Sequence, residues 1–203
     1  MRVVSLFSGA GGLDFGFIKA GHQILWANDL YRDAVETYQK NIGNHIVCED
    51  ISKISTSDIP DCDIVIGGFP CQGFSVANTK RHVDDERNVL YKQLLRVIRD
   101  KNPKFFLAEN VKGILSIGKG KVFQMILDDF QSIGYNVQYR VLNAADYGVP
   151  QTRLRVIIVG VRKDVHFEYK YPSPTNSKDG ANGLPRWVSV SAVSYTHLTL
   201  PTT

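Results

Sequence analysis

The chain reads as an α/β fold, a mostly parallel sheet with helices on both faces. Three observations point there. Short apolar runs alternate with amphipathic stretches along most of the 203 residues, the pattern of a parallel sheet with helical crossovers. A glycine-rich turn, SGAGG at residues 8–12, follows the first apolar run directly. Five polar or glycine-rich sites fall just beyond expected strand ends, the rim where open α/β sheets take their ligands.

Residues 3–7, VVSLF, form the first strand, and the spacing from Leu13 predicts a helix over 13–20. A second strand is expected over 23–27, a helix over 31–41, and further strands over 44–48 and 63–66. The stretch 87–100 carries Val89, Leu90, Leu94, Val97 and Ile98 at helical spacing. A fifth strand is expected over 104–108 and a helix over 122–133, closed by Gly134 where helices commonly stop. Two strands finish the pattern, 136–142 and 155–161. No helix separates them, so one of the pair should run antiparallel. The five rim sites are SGAGG, Asn28-Asp29, Glu49-Asp50, GGFPC (67–71) and Glu109-Asn110.

The length suits one domain with a hydrophobic core. Apolar residues make up 43% and charged residues 22%, as in ordinary soluble proteins. No apolar run reaches the about 18 residues of a membrane span, and the N-terminus lacks the pattern of a signal peptide. A cytoplasmic protein without membrane contact, read as a monomer, is expected. The three cysteines, Cys48, Cys62 and Cys71, have neither disulfide-framework nor zinc spacing, so no metal is expected. Cys48 and Cys62 read as small hydrophobes at strand edges. Residues 1–150 hold 17 basic and 17 acidic side chains, and residues 151–203 seven and three, so the net charge of +4 sits in the last quarter. A mildly basic end suits a polyanionic partner.

SGAGG opens a helix, which lets backbone N–H groups approach a ligand. The dinucleotide fingerprint G-x-G-x-x-G is not met, because Asp14 stands where the third glycine belongs. Asp29 is either an acceptor for ribose hydroxyls or a cap for the following helix. Asp50 is either an acceptor for an adenine amino group or a turn cap. Together these features point to an adenosine-containing cofactor without separating NAD from S-adenosylmethionine.

Cys71 follows Pro70 on a loop with Gly67, Gly68 and Gly73, past the end of DIVIG. Such a loop presents a side chain more than it packs one, and a thiolate there is a nucleophile. Glu109 comes straight off the apolar KFFLA, where a partly desolvated carboxyl can act as an acid. Its bland alternative is an exposed strand-end glutamate. In QTRLRV, Arg153 and Arg155 alternate, so both point to one face. They form either a planar fork for a carbonyl or phosphate or a solvated strand face.

FSGAGGLDFGF, GGFPCQGFS, ENVKG and QTRLRV, in this order, resemble the cytosine carbon-5 DNA methyltransferase family of bacterial type. DERNVLY (85–91) and NAADYGVPQTR (143–153) resemble further segments of it. The likeness runs from residue 1 to about 193. It implies a Rossmann-like S-adenosylmethionine-dependent methyltransferase fold, methylation of carbon 5 of cytosine in double-stranded DNA, and a base flipped into the site. It assigns Cys71 as nucleophile, Glu109 as acid, and Arg155 with Arg153 as holders of the base. It gives the cofactor Phe7, Ser8, Gly9, Ala10, Gly11, Gly12, Leu13, Asp29, Leu30, Asp50, Ile51, Gly68, Pro70 and Leu90. It gives the substrate Phe69, Pro70, Gln72, Ser75, Asn110 and Val111. A cognate restriction endonuclease is compatible with the resemblance, although no residue here points to one.

By the same resemblance, residues 1–170 form the catalytic and cofactor-binding domain and 171–193 a linker toward a target-recognition region. Residues 194–203, SYTHLTLPTT, do not continue the pattern and read as a non-native tail on an N-terminal fragment. Weak cofactor binding and little turnover are expected of such a fragment alone. Three rival readings stay open: a tRNA cytosine methyltransferase, against which Gly73 and Ser75 speak; a non-catalytic nucleotide- or DNA-binding protein; and an NAD oxidoreductase, disfavoured by the missing third glycine.

Overall fold

The computed structural model describes residues 1–70 and 89–193. Residues 194–203, expected to be a non-native tail, lie outside them.

The order of elements is β1 (Arg2–Leu6), α1 (Gly12–Lys19), β2 (Gln23–Asp29), α2 (Arg32–Asn41), β3 (Ile46–Cys48), β4 (Ile64–Gly67), α3 (Val89–Lys101), β5 (Phe105–Val111), α4 (Lys121–Ser132), β6 (Tyr135–Asn143), β7 (Leu154–Arg162) and a short α5 (Val190–Val193). All seven strands join one sheet in the order β3-β2-β1-β4-β5-β7-β6. β1 to β5 pair in parallel, and β7 runs antiparallel to both its neighbours. The reversed strand expected among the last two is therefore β7.

Both faces of the central strands are covered, which is why they are apolar at successive positions and do not alternate. On one face Val4, Leu6, Val65, Phe106, Ala108, Val156 and Ile158 pack against α3 and α4 through Leu94, Ile98, Ile126 and Phe130. On the other, Val3, Ile64 and Ile66 pack with Val35 and Tyr38 of α2 and with Leu13 and Phe17 of α1. Gly160 on β7 leaves room for the Phe106 ring, since a Cβ there would fall 1.9 Å from it.

Two strands run further than their sequence pattern suggests, and both extensions carry rim residues. β2 continues to Asp29, which pairs with Cys48 of β3. β5 continues to Val111 because β7 supplies partners beyond the end of β4: Glu109 lies opposite Ile157, Asn110 opposite Val156, and Val111 opposite Arg155. Asn28-Asp29 and Glu109-Asn110 thus lie within the paired part of their strands and are not the first residues past them. Their backbones are held by ladders, and their side chains point in directions set by the pleat.

Within residues 171–193, read as a linker, Thr175, Asn176 and Trp187 contact the turn at 144–147. The Asp146 carboxylate accepts from Trp187 Nε1 (2.9 Å), and its backbone carbonyl accepts from Thr175 and Asn176 N–H. Among the described residues no helix is long and apolar enough to cross a membrane.

Candidate active site

The glycine turn leaves β1 through Phe7, a non-glycine residue held at φ 54°. A left-handed backbone at a bulky residue is strained and tends to persist where a site requires it. Three ties fix the turn. Ser8 N–H donates to the Asn28 carbonyl (2.9 Å), Gly11 N–H donates to the Ser8 carbonyl (2.9 Å), and Gly9 N–H donates to Asp29 Oδ2 (2.8 Å). Gly9 adopts φ 55° with open space where a Cβ would stand.

The glycines have separate duties. A Cβ on Gly11, at φ 88°, would come 2.1 Å from Ile42 Cδ1 and 2.8 Å from Tyr38 Cδ2, so Gly11 is a buried packing position under α2. Gly12 is exposed, with nothing near its missing Cβ. Ala10 is exposed beside it, and Leu13 packs partly against the α1–α2 core.

Asp29 closes the turn just ahead of α2 and is not its N-cap, which is Tyr31. Its Oδ1 accepts from Tyr31 N–H (2.9 Å), while Oδ2 holds the glycine turn. Asp50 caps a turn, accepting from Ser52 N–H (2.9 Å), and that bond holds its carboxyl below the usual carboxylate range. Leu30, between them, is 58% exposed, which is unusual for a leucine next to a core strand. Ile51 is buried beneath.

A cavity of about 430 Å³ opens in front of the turn. Its floor is Ser5, Leu6 and Asp14, and its near wall Phe7, Ser8, Gly12 and Leu13. Gly68, Glu109 and Arg153 close the far side. The volume lies in the range of about 300–1,000 Å³ that small-ligand pockets occupy. Asp29, Leu30 and Asp50 do not line this cavity; they stand at the neighbouring strand ends, beyond β2 and β3.

At the far side, Arg155 Nε lies 2.7 Å from Glu109 Oε1, with both side chains about a quarter exposed. Arg155 opposes Val111, so the two groups are diagonal neighbours on one face of the β5–β7 pair. Gly68 admits the carboxylate, since a Cβ there would stand 3.1 Å from Glu109 Oε2. Arg153 precedes β7, with an exposed side chain and its N–H donated to Asn143 Oδ1 (3.0 Å). Val111 is exposed at the end of β5.

Asn110 is 2% exposed, and its Nδ2 donates to the Phe69 carbonyl (2.9 Å). This bond anchors the last described residues before position 71. Phe69 itself lies in the core beside Tyr91, with ring centroids 6.3 Å apart, so only its backbone faces the groove. Of these two expected substrate contacts, Phe69 has its ring in the core, while Asn110 donates from Nδ2 to the Phe69 carbonyl and accepts from Val111 N–H at Oδ1. Pro70 is exposed, and Leu90 is half-buried in the first turn of α3. Cys71, Gln72 and Ser75 lie outside the described residues.

Sequence reasoning missed a buried polar chain under the turn: Ser5, Asp14 and Tyr38, with Ser5 Oγ donating to Asp14 Oδ1 (2.7 Å) and Tyr38 Oη to Asp14 Oδ2 (2.8 Å). The available signal was a polar residue inside each apolar run, Ser5 in VVSLF and Asp14 in LDFGF.

Residues 1–191 match the model of the family described as C-5 cytosine-specific DNA methylase. The chain is 50% identical over 190 residues to the type II methyltransferase M.NgoFVII of Neisseria gonorrhoeae, covering 93% of this chain and 51% of that protein. It is 42% identical to M.BsuRI of Bacillus subtilis, covering 88% and 47%. Among solved structures, a prophage-encoded E. coli protein assigned as a DNA modification methyltransferase superposes with a TM-score of 0.76 at 30% identity, covering 96% of this chain and 54% of that one. The S. pombe Dnmt2 methyltransferase superposes at 0.69 with 25% identity, covering 84% and 53%. The chain spans about half the length of the curated relatives it matches.

Proposed function

The chain belongs to the C-5 cytosine-specific DNA methylase family, and on that premise we propose that it carries the cofactor-binding and catalytic part of a DNA cytosine-5 methyltransferase using S-adenosylmethionine. The observation that carries the reading is Glu109, which lines the cavity that the glycine turn opens and holds Arg155 Nε at 2.7 Å.

S-adenosylmethionine would supply the methyl group when bound. Asp29 would accept from its ribose, Leu30 and Asp50 would hold the adenine, and Leu90 with the turn from Phe7 to Leu13 would hold the methionine end.

Carbon 5 of cytosine is too weak a nucleophile to take a methyl group unaided. The Cys71 thiolate adds to carbon 6, and the displaced electron pair moves toward ring nitrogen 3. Glu109 protonates that nitrogen, so no negative charge accumulates on the ring. Arg155 holds the carboxyl in place and, with Arg153, engages the base carbonyl. Carbon 5 then takes the methyl group. A water molecule then takes the proton on carbon 5, the thiolate leaves, and nitrogen 3 returns its proton to the Glu109 carboxylate, which restores the aromatic ring. Asn110 fixes the backbone of Phe69, two residues before Cys71 in the sequence. Double-stranded DNA is the substrate, with the target base rotated out of the stack. A cognate restriction endonuclease fits the naming of the type II relatives.

The test is a suicide-substrate assay on the full reading frame containing this chain. Duplex DNA bearing 5-fluorocytosine, together with cofactor, should give a covalent protein–DNA adduct, because fluorine cannot leave as a proton does. Cys71→Ser should abolish it. An adduct that survives in Cys71→Ser, or none with the unaltered protein, would overturn the reading.

A further inference from the structure

Asp14 is fully buried in the first turn of α1, yet it lines the cofactor cavity together with Ser5 and Ser8. The hydrogen bonds around it run one way. Ser8 Oγ donates to Ser5 Oγ (2.9 Å), with the Ser5 carbonyl as a longer alternative acceptor (3.3 Å). Ser5 Oγ donates to Asp14 Oδ1, and Tyr38 Oη donates to Asp14 Oδ2. His45 Nε2 lies 3.0 Å from Tyr38 Oη, whose own proton is committed to Asp14, so Nε2 carries the proton of that contact. Every proton in the chain points toward the carboxylate.

A hydroxyl has one proton and two lone pairs. The Ser8 proton is spent inward whichever acceptor it takes, so Ser8 can offer the cavity only lone pairs. We propose that Asp14, acting through Ser5, is a positioning residue that fixes the Ser8 hydroxyl as an acceptor, and that this corner selects the cofactor by its ammonium group. The inference rests on the cofactor reading above and adds to it the polarity of one subsite. A carboxylate brought to the same corner would meet lone pairs and be repelled. The turn's free backbone N–H groups suit that end of the amino acid instead.

Burial holds Asp14 above the usual carboxylate range, against the smaller opposing pull of the Ser5 and Tyr38 hydroxyls and of His45. Gly11 serves the same arrangement, since any Cβ there would collide with the Tyr38 ring.

The test compares two cofactor analogues by calorimetric binding: decarboxylated S-adenosylmethionine, which keeps the ammonium, and the deaminated analogue, which keeps the carboxylate. The unaltered protein should favour the ammonium-bearing compound by about tenfold or more, as a hydrogen bond to a charged group would give. Ser8→Ala should bring the ratio close to one. Ser5→Ala, which leaves Ser8 in place but frees its proton to rotate, should lower the ratio as well. Retained preference in either variant, or a ratio near one in the unaltered protein, would overturn the proposal while leaving the cofactor reading intact. Failure of the unaltered protein to bind either compound or S-adenosylmethionine would sink the cofactor reading, and this inference with it.

Discussion

Arg155 and Glu109 meet because β7 runs against β5. The start of one strand and the end of the other share a rim, and the guanidinium reaches the carboxylate at 2.7 Å across the diagonal of the ladder. In an all-parallel sheet the first residue of a strand would lie at the opposite edge.

If Glu109 is the acid, Glu109→Gln should keep cofactor affinity and lower the methyl-transfer rate by about 10²–10⁴-fold, the usual worth of a positioned acid. Arg155→Ala should lower the rate in the same direction, and the double variant should do little more harm than the worse single one, because the two act as a unit. Single-turnover rates on a labelled duplex would measure this, and additive losses would refute the coupling.

Gly11 and Gly12 are adjacent and should respond oppositely to alanine. Gly11→Ala forces a Cβ into Ile42 and Tyr38 at a left-handed backbone position, and should destabilise by about 2 kcal/mol or more. Gly12→Ala enters open space in the first turn of a helix. It should leave stability unchanged or raise it by up to about 1 kcal/mol, yet weaken cofactor binding because it lines the cavity. Urea unfolding and a binding titration on the same samples separate the two effects.

Asn110→Ala removes the donor to the Phe69 carbonyl from a site that is 2% exposed. Stability should fall by about 1–3 kcal/mol, the range for a buried acceptor left unsatisfied. The rate of Cys71 adduct formation should fall beyond what the lost stability explains. The readout is adduct yield at a temperature where both proteins remain folded.

The described cysteines should react unequally. Cys48 is exposed, whereas burial, reinforced by the negative charge of Asp63, pushes the Cys62 thiol from 9.0 to about 11. Iodoacetamide at about pH 8 should label Cys48 and spare Cys62 until the protein unfolds. In the folded protein Cys62 keeps its proton to higher pH than in the unfolded chain. Its contribution to stability is therefore complete below pH 9 and is lost as pH rises toward about 11. Burial also pushes the Tyr38, Tyr91 and Tyr135 hydroxyls upward, so they add to the same alkaline loss. A melting temperature flat up to pH 9 and falling above it is the expected profile, and Cys62→Ala should flatten the first part of the fall.

The alternation of strands and helices was legible because each element carries its own period, and so was the reversal near the end, because residues 136–161 leave no room for a helix. The extension of β5 through Glu109 to Val111 was not legible, since it is set by partners more than forty residues away on β7. The packing constraint on Gly11 was not legible either, because it comes from Tyr38 on another helix. Asp50 does cap a turn, one of its two readings, while Asp29 closes the turn just ahead of α2. Phe69 looked like part of an exposed loop because a sequence cannot say which side of a proline turns inward.

The position of β7 between β5 and β6 also orders events in time. β6 has one neighbour in the sheet, and that neighbour is translated after it. While the chain emerges from a ribosome, residues 135–143 have no strand to pair with, and β5 keeps an open flank, until residues 154–162 arrive and fill the slot. Strand edges left open in this way are where chains associate wrongly. The part of the sheet built from β1 to β4 can form early, whereas the Glu109–Arg155 pair exists only once the last strand is inserted. A substitution that slows that insertion would lower the yield of folded protein without touching a single contact of that pair.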